Sequence, residues 1–133
     1  MRLVIAGSRK ITEYSVVQYV MQQTQFAKPL VVLSGCARGV DSLAIRWANE
    51  ERVKVEYWPA DWASHGKHAG YMRNVDMVNA ADALLAVWDG DSRGTAHTIG
   101  YARATSKPYE VWLCTVNCKP VRIDLYKGRV GSE

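Results

Sequence analysis

Four short apolar runs, each broken by a turn rich in glycine or proline and each followed by residues patterned for a helix, constrain this chain more than any other feature. Residues 3–6 stop at Gly7-Ser8-Arg9, residues 30–33 at the run from Ser34 to Gly39, residues 53–58 at Pro59, and residues 83–88 at the loop that begins with Asp89. Runs of this length, rich in β-branched residues and closed by such turns, predict buried strands. Between them apolar residues recur three and four apart. Tyr14, Val17, Met21 and Thr24 mark a helix over residues 12–25, and Val40, Leu43, Ala44, Trp47 and Ala48 mark a second. Two more are predicted over residues 69–80 and 94–106. In the last of these Ala96, Gly100 and Ala104 place small side chains four apart, a stripe predicted to lie close against the sheet. A fifth strand is predicted over residues 109–113, and residues 121–126 alternate with period two as a sixth.

Strand and helix in alternation imply parallel pairing, because each parallel connection needs a crossover and right-handed crossovers cover both faces of the sheet. The predicted fold is therefore α/β, a Rossmann-like three-layer sandwich around a mainly parallel sheet of five to six strands. With 133 residues, 48% of them apolar, the chain buries a core without disulfides. It is read as one domain, a Rossmann-like unit over residues 1–115 with a C-terminal extension over residues 116–133 that supplies an edge strand or an oligomer contact.

The net charge of +4 is spread along the chain rather than gathered in a block, so charge alone does not select nucleic acid as a partner. The cysteines, Cys36, Cys114 and Cys118, are odd in number, and no amino-terminal segment has the pattern of a signal peptide or the length of a membrane span. A cytoplasmic protein with reduced thiols and no membrane partner is expected. Cys114 and Cys118 lack the spacing of a redox pair and have His97 as their nearest histidine, so they read as ordinary thiols; no metal and no cofactor are predicted.

In open parallel sheets the ligand crevice lies at the carboxyl ends of the strands. That rule brings four loops together: Gly7-Ser8-Arg9, the stretch from Gly35 to Asp41, Pro59-Ala60-Asp61-Trp62, and the stretch from Asp89 to Thr95. A glycine turn that opens a helix suits a phosphate, because the first helical amides are unpaired, the dipole end is partly positive, and glycine lets the backbone approach. Gly35-Cys36-Ala37-Arg38-Gly39 and Ser92-Arg93-Gly94-Thr95 both fit. Each carries an arginine able to pair with phosphate oxygens, Arg38 or Arg93, and a polar residue at the helix start, Asp41 or Thr95. Asp41 could instead cap its own helix, and either turn alone is also what a plain connection looks like. Trp62 and Trp88 fill a core or stack on a base. Arg73-Asn74 reads as a solvated helix face or as part of the pocket, and His65, His68 and His97 as surface or proton-transfer groups.

Taken in order, Gly7-Ser8-Arg9, the stretch from Ser34 to Asp41, Pro59-Ala60-Asp61-Trp62, Ala69-Gly70 with Arg73-Asn74 and Met77, Ala81-Asp82, and Trp88-Asp89-Gly90 with Ser92-Arg93-Gly94-Thr95 resemble the SLOG superfamily. This superfamily comprises Rossmann-like domains shared by the cytokinin-activating hydrolases, the DNA-processing proteins and small stand-alone bacterial and phage proteins; the likeness is greatest to the stand-alone YspA/YpsA-related branch. The resemblance implies a nucleotide or nucleotide-derived ligand, an ADP-ribose-like signal or a nucleoside phosphate, that is sensed or sequestered. Sequestration would suit a phage protein that opposes a host defence. Ligand-binding residues are then expected at Gly7, Ser8, Arg9, Gly35, Cys36, Ala37, Arg38, Gly39, Asp41, Asp61, Trp62, Arg73, Asn74, Asp89, Ser92, Arg93, Gly94 and Thr95. An alternative is a nucleoside 5′-monophosphate N-glycosidase or phosphoribohydrolase, in which Arg73 is catalytic. In the hydrolases a catalytic glutamate follows the Gly-Thr pair by three positions, and here that position is Thr98. Asp89 or Asp91 could stand in for it, with nothing in the sequence favouring either. A second alternative, single-stranded nucleic-acid binding, draws on Lys119, Arg122, Lys127 and Arg129. Relatives of this kind commonly assemble, so a homodimer or homotetramer is expected.

Overall fold

A computed structural model describes residues 1–115 and 119–128. Six strands form one sheet in the order β3-β2-β1-β4-β5-β6. They are β1 (Arg2–Gly7), β2 (Val31–Ser34), β3 (Lys54–Tyr57), β4 (Ala83–Trp88), β5 (Tyr109–Leu113) and β6 (Val121–Tyr126). The first five run parallel, and β6 joins the edge antiparallel to β5 with a register shift beside Val111 and Trp112. This is the doubly wound α/β arrangement expected, and its strand order reverses between β1 and β4.

The central strands β1 and β4 carry unbroken apolar runs, Leu3 to Ala6 and Ala83 to Trp88, because helices cover both faces. Leu3 and Ile5 of β1, with Ala83, Leu85 and Val87 of β4, pack on one side with α1 (Tyr14–Gln23) and α2 (Val40–Glu50) through Val17, Val20, Ala44, Trp47 and Ala48. Val4, Ala6, Leu84 and Ala86 point to the other side, where α4 (Ala69–Ala80) and α5 (Arg93–Ala104) bring Met77, Val78, Ile99 and Ala102. Adjacent strand residues thus enter different layers, as the two-residue period requires.

Several boundaries differ from the sequence expectation for local reasons. Helix α1 ends before Thr24, whose backbone is extended and whose hydroxyl accepts the Phe26 amide at 3.1 Å, while the carboxylate of the fully buried Glu110 takes the Gln25 amide at 2.9 Å. Strand β3 loses Val53 at one end, because its amide returns to Ala48 at the close of α2. The stretch expected as a polar lead-in contains a helical turn, α3 (Trp62–His65), followed by a 3-10 turn over Gly66–His68. Asp61 caps α3 by accepting the Ser64 amide at 3.2 Å.

The small-residue stripe of α5 does not lie against the sheet. Ala96, Gly100 and Ala104 face outward, and a methyl group added at Gly100 would meet nothing within 4 Å. The buried face consists of Thr95, Thr98, Ile99 and Ala102. Threonine serves there because its hydroxyl is satisfied locally: Thr98, though buried, donates to the Gly94 carbonyl at 3.0 Å.

Among the described residues no helix is long and apolar enough to cross a membrane.

Candidate functional site

The carboxyl ends of β1 and β4 are fastened to each other and to the start of α2 by Ser8, which is fully buried. Its amide donates to the Val87 carbonyl at 3.1 Å, its hydroxyl accepts the Asp89 amide at 3.0 Å, and its carbonyl accepts the amides of Ile11 and Val40, both at 3.3 Å. Gly39 makes that junction possible. Its φ is +74°, and a Cβ there would lie 2.4 Å from the Ser8 carbonyl oxygen and 2.6 Å from the backbone of Arg9.

Beside this junction lies a cavity of about 250 Å³. Ala6, Gly7 and Arg9 come to it from β1 and its loop, Ala37 and Asp41 from the entry to α2, and Ser92, Gly94, Thr95 and Thr98 from the start of α5. The fourth side is built by Trp62 and Lys67 around α3 and by Gly70, Tyr71, Arg73 and Asn74 at the start of α4. Ten of the candidates proposed from sequence therefore line one space: Gly7, Arg9, Ala37, Asp41, Trp62, Arg73, Asn74, Ser92, Gly94 and Thr95.

The other candidates stand behind the wall or outside it. Ser8 and Gly39 form the junction already described, and Asp61 caps α3. Asp89 braces the turn before α5 by accepting the amides of Asp91 at 2.9 Å and Ser92 at 2.8 Å. Burial pushes its carboxyl up, yet those amides and the Ser8 hydroxyl outweigh it and hold the group below the usual aspartate range. Trp88 supports the same turn, its indole donating to the Ser92 carbonyl at 3.0 Å, so Trp62 alone of the two tryptophans borders the cavity. Arg38 and Arg93 are exposed and absent from the lining, so the paired-arginine cradle expected from the two turns is not assembled by these two side chains. Cys36 is exposed beside it in a left-handed conformation, φ +66°, with its amide bonded to the Ser34 hydroxyl at 3.3 Å.

Gly35 matters for approach rather than for flexibility. A Cβ on it would come within 2.8 Å of both the Arg73 guanidinium and the Asp41 Oδ2. Arg73 donates Nη1 to the carbonyls of Gly35 and, at 3.1 Å, Trp58, and Nε to Asn74 Oδ1 at 2.8 Å. The ends of β2 and β3 are thereby tied to α4. Asp41 does not cap α2; Gly39 is the cap residue and has no side-chain bond, while Asp41 Oδ2 accepts the Ala37 amide at 3.2 Å and closes the turn that precedes the helix. Burial pushes the Asp41 carboxyl up to about 6, against the pull of the Ala37 amide, Arg73, the Gly7 amide and Arg9. At neutral pH the cavity thus holds a buried carboxylate and a half-buried guanidinium.

Ser92 caps α5, accepting from the Thr95 amide at 3.4 Å and the Thr95 hydroxyl at 3.1 Å. Thr98 sits where a hydrolase of the resembled type would carry its glutamate, and its hydroxyl is turned back onto Gly94. Asp89 and Asp91 do not reach the lining, whereas Asp41 does.

Ala6, Lys67, Gly70, Tyr71 and Thr98 are cavity residues outside the ligand-binding candidates. The signal for two of them lay in the helix pattern: Gly70, Tyr71, Arg73 and Asn74 share the first turns of α4, and once Arg73 is assigned to the pocket its neighbours three residues back belong there too. Lys67 carried no such signal. Of the histidines, His97 stacks with Tyr71, ring centroids 4.6 Å apart, and none of the three lines the cavity. The tail residues proposed for nucleic acid are engaged elsewhere: Lys119 lies over the Tyr19 ring at 4.5 Å, Arg122 over Trp112 at 6.0 Å, and Lys127 reaches Gln25 at 3.5 Å. Arg129 and Cys118 lie outside the described residues.

A family model described as the YspA, cpYpsA-related SLOG family matches residues 1–65. The Gene 61 protein of Mycobacterium phage D29 is 40% identical over 115 residues, which cover 80% of this chain and 92% of the phage protein. No solved structure matches the chain.

Proposed function

This chain belongs to the YspA, cpYpsA-related SLOG family, and on that premise we propose that its cavity binds a nucleotide or nucleotide-derived ligand, an ADP-ribose-like signal or a nucleoside phosphate, and senses or sequesters it. The observation that carries this reading is the lining itself: the capped amino terminus of α5 at Ser92, Gly94 and Thr95 for phosphate, Arg9 and Lys67 as cations beside it, and Trp62 and Tyr71 as aromatic surfaces for a base. Sequestration draws support from the phage origin of the 40% identical relative. Calorimetry against AMP, ADP, ATP and ADP-ribose tests the reading, with micromolar or tighter binding of at least one expected and binding of none overturning it. Mass spectrometry of small molecules released by heat from protein purified out of its native setting then identifies what is held.

A second reading, hydrolysis of the N-glycosidic bond of a nucleoside 5′-monophosphate, is favoured by one observation: Asp41 brings to the lining a carboxyl with raised proton affinity, the property of a general acid or base. Release of free base from AMP by the wild-type protein, lost in Arg73→Ala, would select it. The same proposal takes the chain to be a homodimer or homotetramer, supported by the exposed apolar side chains Met72, Val121 and Ile123. Light scattering that returned a monomer mass at working concentration would overturn this part.

A further inference from the structure

The inner end of the cavity holds a carboxylate, which is the wrong charge for a second phosphate position. Asp41 lines that end at 5% exposure, and its Oδ2 accepts the Ala37 amide at 3.2 Å. The Gly7 amide acts on the same carboxyl, and since an ionised carboxylate offers about four acceptor sites, about two stay open. Arg73 approaches the same Cα, that of Gly35, since a methyl group there would contact both side chains. Yet the two do not pair; the side-chain ion pairs among the described residues involve Arg2, Lys28, Arg46 and Arg103. Nε and Nη1 of Arg73 are taken by Asn74, Gly35 and Trp58, and among the described residues Nη2 makes no hydrogen bond.

A carboxylate with spare acceptors and a guanidinium with spare donors therefore border one cavity without touching. A phosphate oxygen accepts from the arginine but cannot donate to the aspartate, and an ammonium does the reverse. A hydroxyl does both, giving its proton to the carboxylate and taking an N–H on its lone pair. We propose that Asp41 and Arg73 together form a hydroxyl-recognition site for the sugar of the bound nucleotide, and that Asp41 makes the protein select ribose over deoxyribose. The assignment rests on the nucleotide reading above, and it orients the ligand with its sugar against the entry to α2 and its phosphate at α5.

The test is calorimetry of the full chain with AMP and ADP and with the 2′-deoxy and 3′-deoxy forms of each. Wild-type protein is expected to bind the ribonucleotides about tenfold or more tightly than at least one deoxy form, because the missing hydroxyl leaves a buried carboxylate without its donor. In Asp41→Asn, an isosteric change, the preference is expected to shrink to about twofold. Equal affinity of wild-type protein for the ribo and both deoxy forms overturns the hydroxyl site and leaves nucleotide binding standing. Full discrimination retained in Asp41→Asn overturns the role of Asp41. Binding of none of the six overturns the nucleotide reading and this proposal with it.

Discussion

Arg73 donates to the backbone carbonyl of Gly35 across 38 positions of sequence, and in doing so joins the end of β2 to the first turns of α4. The same nitrogen reaches the Trp58 carbonyl, so the guanidinium organises three segments besides bordering the cavity. Replacing it leaves two backbone acceptors without partners at a half-buried position. Arg73→Met is expected to lower unfolding free energy by about 1–3 kcal/mol, read from urea denaturation, and to weaken nucleotide binding about tenfold or more. Arg73→Lys should recover little, since one ammonium cannot reproduce the fork. Wild-type stability in both variants would contradict the tie.

Asp41 ties stability to pH with a definite sign. Its folded carboxyl titrates at about 6 against an ordinary 3.8, so the folded state holds the proton more tightly than the unfolded chain. Stability is therefore greatest below the unfolded value, falls as pH rises from about 4 to about 6, and stays lower above that. Arg73 and Arg9 are the charged groups acting on Asp41, and both limit the size of the effect. Asp41→Asn is expected to be more stable than wild type by up to roughly 3 kcal/mol at pH 8 and to lose the advantage near pH 4. Denaturation series at pH 4, 6 and 8 measure it. A gap that does not change with pH would show that the carboxyl is not strained by burial.

Two glycines should answer the same substitution in opposite ways. Gly39→Ala puts a methyl group 2.4 Å from the Ser8 carbonyl at a φ of +74°, and is expected to cost about 3 kcal/mol or more. Gly100→Ala adds a methyl group in open space on an exposed face of α5 and should stabilise by about 0.5–1 kcal/mol. Thermal melts of the two proteins decide whether the loop junction is as tight as its geometry.

Trp62 is 51% exposed and its indole rests 3.2 Å from where a Cβ of Gly70 would stand. A bound base stacking on it should quench its fluorescence and shield it. Trp62→Phe is expected to keep most of the affinity, and Trp62→Ala to lose about tenfold, by titration against ADP. Undiminished affinity in Trp62→Ala would remove this side chain from the binding surface.

The central strands are legible from sequence because burial on both faces leaves a run with no polar interruption, as in residues 3–6 and 83–88, and a glycine-containing turn follows each run. The convergence of Gly7, Asp41 and Ser92–Thr95 followed from the rule that ligands lie at carboxyl ends of parallel strands. What periodicity could not supply was the direction a stripe faces. Ala96, Gly100 and Ala104 and the pair Thr95 and Thr98 repeat with helical spacing alike, and the threonines were buried because their hydroxyls bond within the helix and its cap. Helix α3 has no sequence signature of its own, because four residues held by an Asp61 cap are too few to carry a period. Arg38 and Arg93 were placed by residue type, but the chain direction at each turn carries them to the exposed side.

Ser8 draws the ends of β1 and β4, the loop before α1 and the start of α2 into one hydrogen-bonded knot, whereas every residue from Asp61 to His68 on the opposite rim is exposed. One wall of the cavity is thus set when the sheet forms, and the other is free to adjust. A ligand entering between them loses chain entropy on the Trp62 side alone. Hydrogen exchange should register its arrival as slowed amides in residues 61–68, with the amides around Ser8 already protected before it binds.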